Sequence, residues 1–369
     1  MAIQSFFPER LRLGRQLLGL SLDAVGDKVG ASRQFLHQLE TGAKEPTDDM
    51  KAALAAALQV DPSFFSLRLT NQVQTEHCHF RKLKTVPQWL ALQASARASG
   101  VSLIIDSLEQ KVGFPDVDIP SFTQPTHEPL AIEAAAELAR SHWNLGLDAP
   151  ISNMVRVLER AGVIVVRFDD LSERIDALSV SRRRPLVVRS TVKGDGARPR
   201  FDLAHELGHL VMHQGIVTGD AETEGQAHRF ASAFLVPARA FVREFPRPYG
   251  RRLDWQGIVR MKVRWGMSMR AIIRRAYDLR LIDAAQYRTG NIHLMKSGQS
   301  KVEDGDSQIQ SERPELLVAA LNYLERTDAR AIHLLIKELG MSACLFQKLT
   351  GYSVEDLPDN ITLFPDFRS

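Results

Sequence analysis

With 369 residues, 44% of them apolar and 25% charged, the chain is long for one domain and excludes a fibrous or disordered protein. A net charge of +3 is compatible with a nucleic-acid partner without demanding one, so local charge has to decide. The opening MAIQSFFPERLRLGRQ lacks an apolar core and cleavage site, stretches such as Gly162–Phe168 are too short to span a bilayer, and Cys78 and Cys344 make no disulfide framework, so the expectation is a cytoplasmic protein with no membrane partner.

In chain order, the region from about Pro8 to Phe65 breaks into short helical segments punctuated at Gly19, Gly30, Gly42 and Pro46. Ser21 and Ser32 stand where N-caps belong, since a serine oxygen can accept from the free backbone donors of a starting helix. Thr70–Thr85 is less regular and carries the run His77-Cys78-His79, which reads as structural or incidental because no second cluster accompanies it. Helical pattern resumes from Pro87 to about Gly113, and the Pro-rich span Phe114–Pro129 reads as linker. Helices are expected at Ile132–Trp143 and Ile151–Ala161, then strands at Val163–Phe168, Asp176–Val180 and Pro185–Val188. Lys193–Arg200 is a Gly/Pro/Arg loop before a helix beginning near Phe201, and helices continue through Leu281. The polar stretch Ser297–Arg313 reads as a second, flexible linker, and a helical tail runs from Pro314 to about Gly351.

The segment Phe201–His213, FDLAHELGHLVMH, carries the clearest chemistry. On a helix His205 and His209 lie one turn apart on one face, so two imidazoles can meet one cation. Glu206 beside them is placed to act as the general base on water. Leu203, Leu207, Leu210 and Val211 pack one side, and Gly208 leaves room on the other. A catalytic zinc takes three protein ligands. Position 215, where a third histidine would extend the motif, is Gly215, and the alternative is a glutamate from the next helix. In AETEGQAHRFASAFLVP (Ala221–Pro237), Ala227, Phe230, Ala231, Phe234 and Leu235 form an apolar stripe that includes Glu224, whereas Glu222 falls on the outer face. A carboxylate on a buried stripe is costly unless paired or metal-bound, which makes Glu224 the expected third ligand. His213 offers a substitute ligand or an oxyanion stabiliser, a partly buried helix-end histidine being the plainer reading. His228 is a candidate for a supporting or transition-state role. Such a site takes Zn2+, with Mn2+ or another divalent ion as alternatives.

The segment Ile132–Pro237 resembles the ImmA/IrrE metallopeptidases. The matching pieces are Ile132-Glu133, Pro150-Ile151, Leu158-Glu159, the β-run after Gly162, Arg200 through His209, Gln226 through Ala231, and Leu235-Val236-Pro237. The resemblance implies a zincin-like fold whose substrate is a helix-turn-helix repressor, cut to release stress or mobile-element genes. It also implies Glu224 as ligand.

Phe7–Phe65 resembles the Xre-type, phage-repressor-like helix-turn-helix family through Arg15, Leu20-Ser21, Val25, Gly30-Ala31-Ser32, Leu36, Leu39-Glu40, Gly42 and Pro46. Gly30 supplies the turn and Ser32 caps the second helix. Leu36 and Leu39 face inward, leaving Arg33, Gln34, His37 and Gln38 outward to reach base edges of double-stranded operator DNA. The resemblance implies that Glu40 pairs with Arg15. Leu22 stands where the family often has glutamine and cannot bond a phosphate, and Gly26 weakens its helix by up to about 1 kcal/mol. Trp265-Gly266-Met267-Ser268 and Leu339-Gly340-Met341-Ser342 separate helical runs in a similar way, but neither presents a basic face strong enough to claim DNA.

The expectation is therefore an α+β multidomain protein. An all-α helix-turn-helix head covers 1–68, a helical connector 69–129, and a zincin-like metallopeptidase domain with a small β-sheet and trailing helices 130–296. A flexible linker over 297–313 leads to a small helical C-terminal domain over 314–369. The expected function is a metal-dependent endopeptidase that cleaves a repressor-like protein and derepresses stress, mobile-element or toxin-antitoxin genes. A dimer is compatible with this reading but not fixed by it. The rival is a non-proteolytic transcription regulator or antitoxin-like protein that uses the metal site as sensor or structural element. Glu206 argues against it, since a purely structural site has no use for a general base.

Overall fold

Four helices open the chain, α1 (Pro8–Leu17), α2 (Leu22–Val29), α3 (Arg33–Glu40) and α4 (Asp48–Leu58), and local chemistry sets their limits. Ser21 and Ser32 accept from the backbone N–H of Ala24 and Phe35 and so cap α2 and α3. Gly30, at φ +67°, ends α2 in the left-handed conformation and donates to Gly26 O. Gly26 is no defect. A Cβ there would stand 2.4 Å from the Ala31 carbonyl oxygen, so only glycine lets the turn fold back over α2. Leu36 and Leu39 are buried beneath α3. Arg15 on α1 grips Glu40 at the end of α3 bidentately, at 2.6 and 2.9 Å, and also donates to Leu20 O.

Glu40 is only 5% exposed and Arg15 is half-buried, so removing the carboxylate leaves a half-buried guanidinium with Leu20 O alone. Glu40→Ala is expected to destabilise the head by about 1–3 kcal/mol, the range for removing one partner of a partly buried hydrogen-bonded group. Chemical denaturation followed by circular dichroism checks this, and an unchanged midpoint would remove the pair from the account.

The computed structural model describes residues 6–69, 78–80, 87–122, 128–168, 177–190, 196–216, 218–299 and 302–354. The chain divides into two compact units, one of residues 1–72, 99–113 and 318–369, the other of 73–98 and 114–317. Helix α5 (Gln88–Leu108) is shared between them. Among the described residues no helix is long and apolar enough to cross a membrane.

The second unit begins with β1 (Cys78–Phe80), α6 (Pro129–His142), α7 (Met154–Arg160), β2 (Ile164–Phe168), β3 (Ala177–Val180) and β4 (Leu186–Ser190). It continues with α8 (Ala197–Met212), α9 (Ala221–Leu235), α10 (Ala238–Glu244), α11 (Trp255–Trp265), α12 (Met269–Asp278) and α13 (Ala284–Lys296). The four strands form one mixed sheet in the order β1-β3-β4-β2, with β3 antiparallel to both neighbours and β2 parallel to β4. β1 falls in the stretch expected to be irregular. Its pairing with β3 is a long-range contact that a short local pattern cannot reveal. His77 of the His77-Cys78-His79 run lies outside the described residues.

The helix expected near Phe201 starts four residues earlier, at Ala197. Pro199 falls in its first turn, where the missing N–H would have had no helical partner. α8 is buried along nearly its whole length, between the apolar faces of α6, α7 and α9 and the sheet.

The expected flexible linker over 297–313 differs most. Glu303 accepts from Met269 N and Lys262 Nζ at 2.8 and 2.9 Å, answering the free donors at the start of α12. Glu312 accepts from Met154 N and Val155 N at the start of α7 and from Arg200 on α8. Both glutamates are buried. The polar composition that suggested a flexible linker consists here of carboxylates that meet helix N-termini and buried cations.

The tail comprises α14 (Leu316–Thr327), α15 (Ala331–Glu338) and α16 (Ala343–Thr350). Most of this expected C-terminal domain belongs to the head's unit. Asp61 N donates to Gly340 O at 2.9 Å, and Ser107 and Lys111 bind Glu338 at 2.7 and 2.8 Å. A Cβ on Gly340, at φ +63°, would collide with the Phe64 backbone at 2.7 Å, so glycine is needed both for the turn and for the contact.

Candidate functional site

α8 presents His205 and His209 one turn apart, both 1% exposed, with their Nε2 atoms 3.2 Å from each other. α9 reaches them because of two residues. Asp220 caps its start by accepting from Glu222 N and Thr223 N, and Gly208 lets the helices close, since a Cβ there would meet Phe230 Cδ1 at 3.0 Å. Glu224, in the first turn of α9, then places Oε2 3.3 Å from His205 Nε2 and Oε1 3.3 Å from His209 Nε2. The donor atoms of His205, His209 and Glu224 all lie within 4.8 Å of one another.

Burial works against the charge on Glu224. The pairing with His205 and His209 outweighs it and holds the carboxyl down at about 2. The two imidazole nitrogens are within ion-pair reach, yet neither carboxylate oxygen receives a well-aligned protein hydrogen bond. Two imidazoles and a buried carboxylate converge, and a divalent cation is the group that such a donor set fits.

An outer shell orients this set. His209 Nδ1 lies 2.9 Å from His213 Nδ1, and His213 Nε2 lies 2.8 Å from Gln226 Oε1. The amide oxygen can only accept, so His213 donates from Nε2 and accepts at Nδ1 from the Nδ1–H of His209. The His209 Nε2 lone pair is thereby left facing Glu224 and His205. Burial lowers the pKa of His213 from its ordinary value and so favours the neutral ring that this chain of bonds requires. His228 packs at a tilt against Phe201 with ring centroids 4.7 Å apart and lies 6.4 Å from the His205 ring. It therefore forms part of the wall beside His205.

Glu206 is 1% exposed, and its Oε2 accepts from Ser179 Oγ at 2.5 Å. Ser179 sits in the middle of β3, paired to Val187 of β4 and His79 of β1. Sequence reasoning missed it. The only signal is one polar residue inside a four-residue apolar strand, and nothing local tells which helix that strand faces.

On the head, Arg33, Gln34 and His37 are exposed along α3 and Gln38 is partly so. Arg33 leans on Asp23 at 3.6 Å, both well exposed, a pair that solvent screens. All four side chains point away from buried Leu36 and Leu39.

Residues 158–277 match the family model of the Peptidase M78 type, described as the IrrE N-terminal-like domain, and residues 8–63 match that of a helix-turn-helix domain. No curated protein matches the chain. The first match takes in α8, Glu224 of α9 and the helices up to all but the last residue of α12, the second all of α1–α4. The chain thus joins a DNA-binding helix-turn-helix domain to a peptidase-type domain of the IrrE N-terminal-like family, the make-up of a protease-like regulator.

Proposed function

We propose that this chain is a metal-dependent endopeptidase that cuts a helix-turn-helix repressor, with its own head supplying promoter targeting or partner recognition. The observation that carries the reading is the convergence of His205, His209 and Glu224 around one point, on a helix that also carries Glu206. These three residues would hold the cation, zinc in the first instance, and a cation so held supplies polarisation of the scissile carbonyl and a lowered pKa for water. Glu206 takes the proton from the attacking water and returns it to the leaving amine. Ser179 holds the carboxylate in place by donating to one of its oxygens. His213 and Gln226 keep His209 in one tautomer, and His228 lines the wall next to His205. Arg33, Gln34, His37 and Gln38 form the face that reads operator DNA.

The non-proteolytic alternative has less support, because it leaves unexplained why a carboxylate beside the two histidines is buried and held in place. The deciding experiment incubates the whole purified chain, with zinc or manganese, with the helix-turn-helix repressor encoded nearest its gene. One discrete pair of repressor fragments, absent with a chelator, is the expected result. An intact repressor at full metal loading would replace the peptidase by a regulator that acts through binding.

A further inference from the structure

Charge is distributed unevenly along the chain. Residues 238–288 contain 13 Lys and Arg against 4 Asp and Glu, a net +9, in a protein whose total is +3. Some of these cations, Lys262 and Arg275 among them, are buried and paired, but Arg247, Arg251 and Arg252 lie in one small structure between α10 and α11. Tyr249 and Arg252 exchange backbone hydrogen bonds at 2.8 and 3.0 Å, closing a two-residue turn at Gly250 (φ +58°) and Arg251. Pro246 and Pro248 stiffen the approach, Gln286 donates to Gly250 O at 3.1 Å, and Leu253 is buried at the base. The tip is therefore a braced projection, and what it projects is unusual. Tyr249 is 77% exposed, and Arg247, Arg251 and Arg252 are exposed with no carboxylate partner among the described residues. Behind it, Arg247 and Tyr249 share a cleft of about 670 Å³ with Arg260 and Arg264 of α11, which do have carboxylate neighbours in Asp254 and Glu244.

A solvated loop needs neither bracing nor an exposed aromatic ring among three unneutralised guanidinium groups. Planar guanidinium groups match phosphate oxygens bidentately, and an aromatic ring between cations offers a stacking surface to a base. We propose that the Arg247–Arg252 turn is a second nucleic-acid contact, separate from the head, binding the phosphate backbone through Arg247, Arg251 and Arg252 and stacking a base on Tyr249. It does not depend on the metal site.

The test uses the whole chain and fluorescently labelled random-sequence DNA, once as duplex and once as single strand, titrated at several salt concentrations. Each lost phosphate contact lowers the slope of log affinity against log salt by about 0.9 on duplex or 0.7 on single strand. The combined Arg247→Gln, Arg251→Gln and Arg252→Gln variant is therefore expected to lose about 2–3 units of slope on duplex. The matching Arg→Lys variant should keep it. Tyr249→Ala should weaken the single strand about tenfold or more if an unpaired base stacks there, and leave duplex affinity unchanged. Arg33→Ala with Gln34→Ala in the head should instead relax sequence preference on an operator, which separates the two surfaces. An unchanged slope on both DNA forms, with the triple Gln variant folded by circular dichroism, would overturn the proposal.

Discussion

Replacing Glu206 by Gln is expected to give a folded, metal-binding protein whose repressor cleavage falls by about 10²–10⁴-fold, the usual share of a general base. The substitution keeps side-chain size and leaves His205, His209 and Glu224 untouched, so metal content stays at the wild-type level. Glu206 is buried and hydrogen-bonded to Ser179 at 2.5 Å. A glutamine there can still accept from that hydroxyl through its amide oxygen, so the helix keeps its anchor to β3 while the proton acceptor is lost. The measurement is single-turnover cleavage with metal content determined on the same preparation. Undiminished cleavage by a fully loaded Glu206→Gln protein would exclude the role given to this residue. A parallel loss of metal would make the site a structural one that needs the carboxylate's charge.

The legible part of this site was the part encoded by spacing along a single helix. His205, Glu206 and His209 are close because an α-helix makes them so, whatever the rest of the chain does. Glu224 was also within reach of pattern reasoning, because a carboxylate on the stripe of Ala227, Phe230, Ala231, Phe234 and Leu235 has to be answered by something. Ser179 was not, because it reaches Glu206 only through the placing of β3 in the sheet, and a four-residue strand carries no sign of its neighbours. The misreading of 297–313 has the same origin. Glu303 and Glu312 look solvated in sequence, and become interior only when the starts of α12 and α7 present unpaired N–H groups to them. Gly26 reads as a weak spot by propensity alone, whereas the nearness of the Ala31 carbonyl makes it a requirement. Helix positions, caps and one-helix motifs are local statements and survive without the fold. Strand neighbours, buried charges and the grouping of the tail with the head are statements about distant residues.

The second large effect concerns the metal. The wild-type chain is expected to bind one divalent ion per molecule, and His205→Ala or His209→Ala to abolish stoichiometric binding. Each removes one of only two imidazoles and leaves the Glu224 carboxylate buried with a single partner. Glu224→Gln should weaken binding less completely, since an amide oxygen still occupies the third position but brings no charge. The outer shell supplies a graded control. His213→Ala leaves all three ligands in place and removes only the acceptor of the His209 Nδ1 proton, at 2.9 Å. Loss of such a partner lowers metal affinity by about 10–100-fold, and Gln226→Leu, one step further out, should cost less. Elemental analysis reads stoichiometry, and competition with a chromogenic chelator reads affinity, so neither depends on finding the substrate. Thermal unfolding of the metal-free proteins tells packing from coordination. His213→Ala should lower the metal-free midpoint, because it empties a buried position, and should in addition shrink the increase that added metal produces, because an ion that binds only the native state stabilises it in proportion to the logarithm of its affinity. Equal metal in the wild type and in the His205→Ala, His209→Ala double variant would remove the centre altogether. Equal affinity in the wild type and in His213→Ala would leave the centre standing and take the His213–Gln226 chain out of it.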